Sequence, residues 1–123
     1  MVSFFEESPS EVGLLQNVDE EFAFWVNSGV SSHLSSVIGI VALEAINFHL
    51  SKLVNVDLSK VATNPALVES GLRKLFGNGA QIIIKAIILA AFRSARIVPD
   101  RDFLSLQDAF VEMYSRARPT LRL

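Results

Sequence analysis

Residues 64–95, reading NPALVESGLRKLFGNGAQIIIKAIILAAFRSA, spell out a helix, a glycine break and a second helix that is apolar on nearly every side. A helix without a polar face has no side to offer water, so it must sit among partners, in its own chain or across a subunit interface. The isoleucine triplet at 82–84 favours a strand locally. The run nevertheless continues through Lys85-Ala86 and Leu89-Ala90-Ala91, good helix formers at a length strands seldom reach. An α-helix over 80–95 is therefore expected, and around it an all-α, compact, five-helix bundle-like domain with this helix at its centre.

Local signals place the other elements. Asn64 stands where a cap belongs, Pro65 takes the first helical position, and Arg73 and Lys74 lie near the carboxyl end of a helix predicted over 65–76. Gly77-Asn78-Gly79 supplies the positive backbone angles of a tight bend, with Asn78 as candidate cap of the helix after it. Asp19, Glu20 and Glu21 suit a first helical turn, so helix one starts near 18 and stops at Asn27-Ser28-Gly29. Ser31 or Ser32 then caps a long helix two, whose inward stripe reads Leu34, Val37, Ile38, Val41, Ala42, Ala45, Ile46, His49 and Leu53, while Ile40, Leu43 and Phe48 widen its apolar surface so that packing on two sides is expected. A connector comes next over 55–63, with a short turn at 58–61. Helix five begins at Asp100 or Asp102, buries Phe103, Leu106, Phe110, Val111, Met113 and Tyr114, and ends before Pro119. The domain plan is an acidic arm of low order over 1–17, one helical domain over 18–118 and a tail over 119–123.

The chain has 123 residues, enough for one domain to fold without staples. It contains no cysteine, which removes disulfides, thiolate metal sites and cysteine nucleophiles from consideration. Half of its residues are apolar and the mean hydropathy is +0.40, more than one small core hides, so a homo-oligomer, simplest as a dimer, is expected. The longest apolar run, 80–92, spans 13 residues around Lys85, short of the about 20 a bilayer needs. No basic stretch leads into a hydrophobic run at the start. The expectation is a cytoplasmic protein without a membrane span or secretory signal.

Charge divides between the halves. Residues 1–70 carry two basic and nine acidic side chains, 2 − 9 = −7; residues 71–123 carry nine basic and four acidic, 9 − 4 = +5. Such asymmetry marks either attraction between the halves, within a fold or a dimer, which is the expectation, or a surface on the second half for nucleic acid or an acidic partner.

Within residues 41–92, the order of parts resembles the small archaeal helical domain known as the Nitrosopumilus output domain. The likeness rests on Ala45-Ile46, Asp57-Leu58, the proline-started helix ending in Leu75-Phe76-Gly77, then Gly79-Ala80 and the isoleucine-rich helix. Its most specific stretch is Leu75-Phe76-Gly77-Asn78-Gly79-Ala80. The resemblance implies an output or effector module of signalling proteins and brings no catalytic residue with it. The acidic arm, helix one and helix five are additions to that pattern.

For several single residues a structural role competes with a chemical one. Lys85, ringed by Ile82, Ile84, Ile87 and Ile88, is expected to meet Glu44 in a buried ion pair or to extend its ammonium outward. The catalytic alternative, a lysine base or Schiff-base nucleophile, lacks a second catalytic group nearby in sequence. His33 and His49 match no zinc-binding spacing, and Glu44 and His49 fall roughly 140° apart on one helix, so neither metal nor other cofactor is expected. His49 is read as a hydrogen-bonded interior residue and His33 as an exposed one in a first turn. The serines lack nucleophile-elbow spacing, and the Gly77–Gly79 bend lacks the Lys-Ser/Thr ending of a phosphate loop.

Arg93, Arg96, Arg101, Arg116 and Arg118 are candidate contacts for a partner or for phosphates, which leaves a nucleic-acid-associated accessory factor as the alternative. Residues 82–92 offer base edges almost nothing to hydrogen-bond, so that helix is not expected to read a DNA groove. Phe4 and Phe5 are candidate docking residues of the arm. Taken together, the expectation is a noncatalytic interaction or regulatory output module, not an enzyme, that associates with itself and with protein partners the sequence does not identify.

Overall fold

A computed structural model describes residues 20–121 of the chain, with side chains described through Arg116. The protein is all-α. Its helices are α1 (Glu20–Ile38), α2 (Ile40–Val54), α3 (Pro65–Phe76), α4 (Ala80–Ala95) and α5 (Leu106–Leu121), with 3-10 turns at Leu58–Lys60 and Gly77–Gly79. Only the second of these turns separates α3 from α4. Counted as one interrupted rod, Pro65–Ala95 reduces the five expected helices to four. The expected arm over 1–17, with Phe4 and Phe5, lies outside the described residues.

Helix α4 is central: α1, α3 and α5 all pack on it. Its buried side is Ala80, Ile84, Ile87, Ile88, Ala90, Ala91 and Phe92. Enclosure is not complete, since Ile82, Lys85, Leu89, Arg93 and Arg96 form an open stripe along one side. The stretch Pro65–Ala95 is long and apolar enough to cross a membrane by length and composition alone.

The first half departs from expectation at one residue. Gly29 does not end a helix; α1 continues for nine further residues to Ile38, and the break falls at Gly39, whose φ of 91° excludes it from a right-handed helix. The Gly39 amide still donates to the Ser35 carbonyl at 2.9 Å, and its own carbonyl accepts from Leu43 at 3.1 Å, so the elbow joins two helices without a loop. Ser31 and Ser32 therefore lie inside α1 and cap nothing, and His33 is a half-buried mid-helix residue. The displaced break also shifts the helical phase of α2. That helix buries Leu43, Ile46 and Leu50, while Val41, Ala42, Ala45, His49 and Leu53 point outward. His49 is thus not an interior residue; its ring meets Phe48 edge-on, with centroids 5.4 Å apart.

Three side chains tie the connector between α2 and α3 to the body. Asn47 Oδ1 accepts from the Leu58 amide (3.0 Å), Asn27 Oδ1 accepts from the Ala62 amide (2.8 Å), and the Tyr114 hydroxyl donates to the Ala62 carbonyl (2.7 Å). Both polar groups of one buried residue are thereby satisfied from α1 and α5. Helix α3 has the expected bounds with Pro65 in its first turn, but the Asn64 side chain bonds back to Thr63 and the Lys60 carbonyl rather than capping it. Gly77, φ 57°, stops α3 as expected, while Gly79 rather than Asn78 occupies the cap position of α4.

Helix α5 starts at Leu106, later than expected. Asp100 is engaged by Arg101, and Ser105 supplies the cap, its hydroxyl accepting from the Asp108 amide at 3.2 Å. Phe103 is buried ahead of the helix, stacked on Phe92 at 5.6 Å between centroids. The helix also passes Pro119 and ends at Leu121; a proline two residues from the end removes only one hydrogen bond of the last turn.

Candidate interaction surface

The core is wholly apolar, with no buried charged side chain among the described residues. Lys85 and Glu44 are both exposed, and the expected buried pair does not form. The reason is topological: α2, which carries Glu44, packs on α1 and α3, whereas Lys85 lies on the open stripe of α4. With Leu89 it lines a cleft of about 100 Å³ whose other walls are Ile88, Pro99, Arg101, Asp102 and Phe103. Among the described residues, no three His, Asp or Glu side chains gather where they could hold a metal ion.

Of the candidate arginines, Arg93, Arg96, Arg101 and Arg116 are exposed, and the Arg118 side chain is outside the described set. Arg101 is spoken for: it pairs with Asp100 at 3.5 Å and Glu112 at 3.8 Å and lies over the Phe103 ring, 4.6 Å from its centroid. Arg96 holds the left-handed terminal position of α4, φ 60°, where its amide closes the helix on the Arg93 and Phe92 carbonyls. Among the described residues, Arg93 and Arg96 thus remain as the open cations at that end of α4.

A polar circuit that sequence reasoning missed joins α3, α4 and the start of α5. Glu69 accepts from the Leu106 amide through Oε1 (2.7 Å) and from Arg73 Nε through Oε2 (3.0 Å). Arg73 also donates to Gln81 Oε1 (2.9 Å), and Gln81 donates to the Leu104 carbonyl (3.4 Å). Every contact in it is structural, fixing where α5 begins.

What the fold leaves open is apolar. Val37, Ile38, Ile40 and Val41 surround the Gly39 elbow with large exposed side chains. Phe48 continues that surface along α2, 57% exposed, with Val41 one face-repeat earlier at 78%. Lys52 Nζ rests 4.9 Å from the Phe48 ring centroid, so the polar rim begins where the apolar stripe ends. Phe24 and Trp25 on α1, and Ile82 and Leu89 on α4, are further exposed apolar groups. The signal was present in the sequence as an apolar surplus, but a single helical phase carried across Gly39 assigned most of α2's outward residues to the interior.

No family model, curated protein or solved structure matches this chain.

Proposed function

We propose that this protein is a noncatalytic helical interaction module, of the regulatory output or adaptor kind, that associates with itself. One observation carries the reading: the elbow and outward face of α2 expose the large apolar side chains of Val37, Ile38, Ile40, Val41 and Phe48, with Glu44 between Val41 and Phe48 and Lys52 one turn beyond Phe48. A patch of that character with a charged margin is the composition of a protein–protein contact. The remaining polar groups support it by having structural partners: Glu69, Arg73, Gln81, Asn27, Asn47 and Tyr114 each hold backbone or one another.

Sedimentation velocity on the full chain and on a Val41→Ser/Phe48→Ser variant tests the reading. Reversible association of the unmodified chain, lost in a variant of unchanged helicity, is expected. Association that survives both substitutions would contradict it. The same preparations passed over immobilised DNA or RNA address the accessory-factor alternative: salt-sensitive retention abolished by Arg93→Ala with Arg96→Ala would favour that reading instead.

A further inference from the structure

We propose that the outward face of α2 pairs with the same face of a second copy, helices antiparallel, about a two-fold axis through Phe48. The inference rests on the self-association read above and names its surface and symmetry.

The face is built from Val41, Glu44, Ala45, Phe48, Ser51 and Lys52, all exposed and related by helical steps of three, four and seven. In an antiparallel pair centred on one residue, the position n before the centre faces the position n after it. Glu44 and Lys52 stand four before and four after Phe48. Each copy's Glu44 then meets the other's Lys52, twice by symmetry, and small Ala45 meets small Ser51 so that the helices can approach. The two Phe48 rings meet at the axis. The Lys52 ammonium already lies beside its own Phe48 ring, placed at the margin where the partner's carboxylate arrives. An isologous contact of this kind closes on itself as a dimer; it covers Phe48, while Val41 faces Asn55 at the margin and the elbow residues Val37, Ile38 and Ile40 lie outside the helix pair.

The exposed faces of α4 and α1 lack this complementarity. The open stripe of α4 carries Lys85, Arg93 and Arg96 and no acidic residue of its own, with Asp102 the acid lining the cleft beside Lys85, so a second copy of the stripe would bring an excess of like charges together. The first turn of α1 offers Glu20 and Glu21 with no lysine or arginine along the rest of the helix. Parallel pairing of α2 would set Glu44 against Glu44 and Lys52 against Lys52. Only the antiparallel arrangement through Phe48 turns all four charges into attractive pairs.

The experiment is sedimentation equilibrium of the full chain at low salt, with Glu44→Lys, Lys52→Glu and the double exchange Glu44→Lys/Lys52→Glu, helicity checked for each. Each single variant is expected to dimerise at least about tenfold more weakly, because two attractive rim pairs become two repulsive ones. The double exchange, and an equimolar mixture of the two single variants, should return to within about threefold of the unmodified chain, and added salt should shrink all the differences. Single variants as tight as the unmodified chain, or a mixture no tighter than either variant alone, overturn the proposed pairing while leaving self-association intact. An unmodified chain that stays monomeric overturns both.

Discussion

Gly29 on α1 lies flush against Ser94 on α4. A β-carbon at position 29 would overlap the Ser94 hydroxyl and stand 2.7 Å from the Ser94 Cβ, so the absence of a side chain sets how closely α1 approaches the central helix. Substitution there sets two effects against each other. Gly29→Ala gains about 0.5–1 kcal/mol of helix propensity, and forcing a methyl into a filled crossing costs about 1–3 kcal/mol. Overlap with a serine attached to a packed helix is not relieved by a flexible tip, so the cost wins. The melting temperature of Gly29→Ala should fall, and Ser94→Gly in the same chain should recover part of the loss. A variant that melts higher than the parent would show that the helices have room to separate.

Tyr114 reaches across 52 residues to the Ala62 carbonyl with its hydroxyl buried. Tyr114→Phe leaves that carbonyl without its donor and should lower stability by about 1–2 kcal/mol in denaturant titrations. An unchanged midpoint would mean that the connector finds another donor.

Burial holds the Tyr114 phenol protonated well above the usual tyrosine value of 10.0. A folded-state value raised above the unfolded one means the contribution is complete below about pH 10 and is lost as pH rises beyond it. Because Tyr114 is the only tyrosine in the chain, absorbance at the phenolate band titrates it alone. Phenolate should appear together with loss of helicity, both above the ordinary range. Ionisation near pH 10 in a protein that stays folded would contradict the burial.

Glu69 fixes the start of α5 by accepting the Leu106 amide across 37 residues while bonding Arg73 four positions along its own helix. Glu69→Ala should cost about 1–3 kcal/mol and deprotect the amides of the first turn of α5 in hydrogen exchange. Arg73→Ala, which leaves the Leu106 bond in place, should cost less. Equal effects from the two would show that the ion pair, not the amide bond, dominates.

Arg96 adopts left-handed angles at the end of α4, a conformation that costs a side-chain-bearing residue about 1–2 kcal/mol. Arg96→Gly should therefore raise stability by about 0.5–1 kcal/mol even though it removes a charge from the surface. A destabilised variant would reveal a contact made by the guanidinium.

In the second half of the fold the bounds of α3 and α4 are legible in the sequence, while their caps and both ends of α5 are not. Pro65, Gly77 and the unbroken run from Ala80 bound α3 and α4 at the positions their chemistry predicts, because each signal acts within one turn of the chain. The first half was misread at Gly29 and Gly39, and the reason is physical. Asn27-Ser28-Gly29 has the polar composition of a helix stop, yet Asn27 is spent on the Ala62 amide and Gly29 on the crossing with Ser94. Gly39 sits between Ile38 and Ile40 with no polar punctuation, yet it carries the positive φ. Local signals cannot separate a glycine needed for its angle from one needed for its size. That displacement accounts for the wrong face of α2 and the burial expected of His49; the pairing expected of Glu44 with Lys85 fails because α2 packs on α1 and α3, away from the open stripe of α4. The circuit through Glu69 and the clamp on Ala62 join residues tens of positions apart, and nothing in local spacing announces them.

The most direct measurement on the apolar face of α2 as a contact surface is the mass of the unmodified full chain by light scattering across a wide concentration range. A rise from the 13.5 kDa of one chain towards about twice that value, reversible on dilution, is the expected result. A mass that stays at one chain to the highest soluble concentration would contradict it.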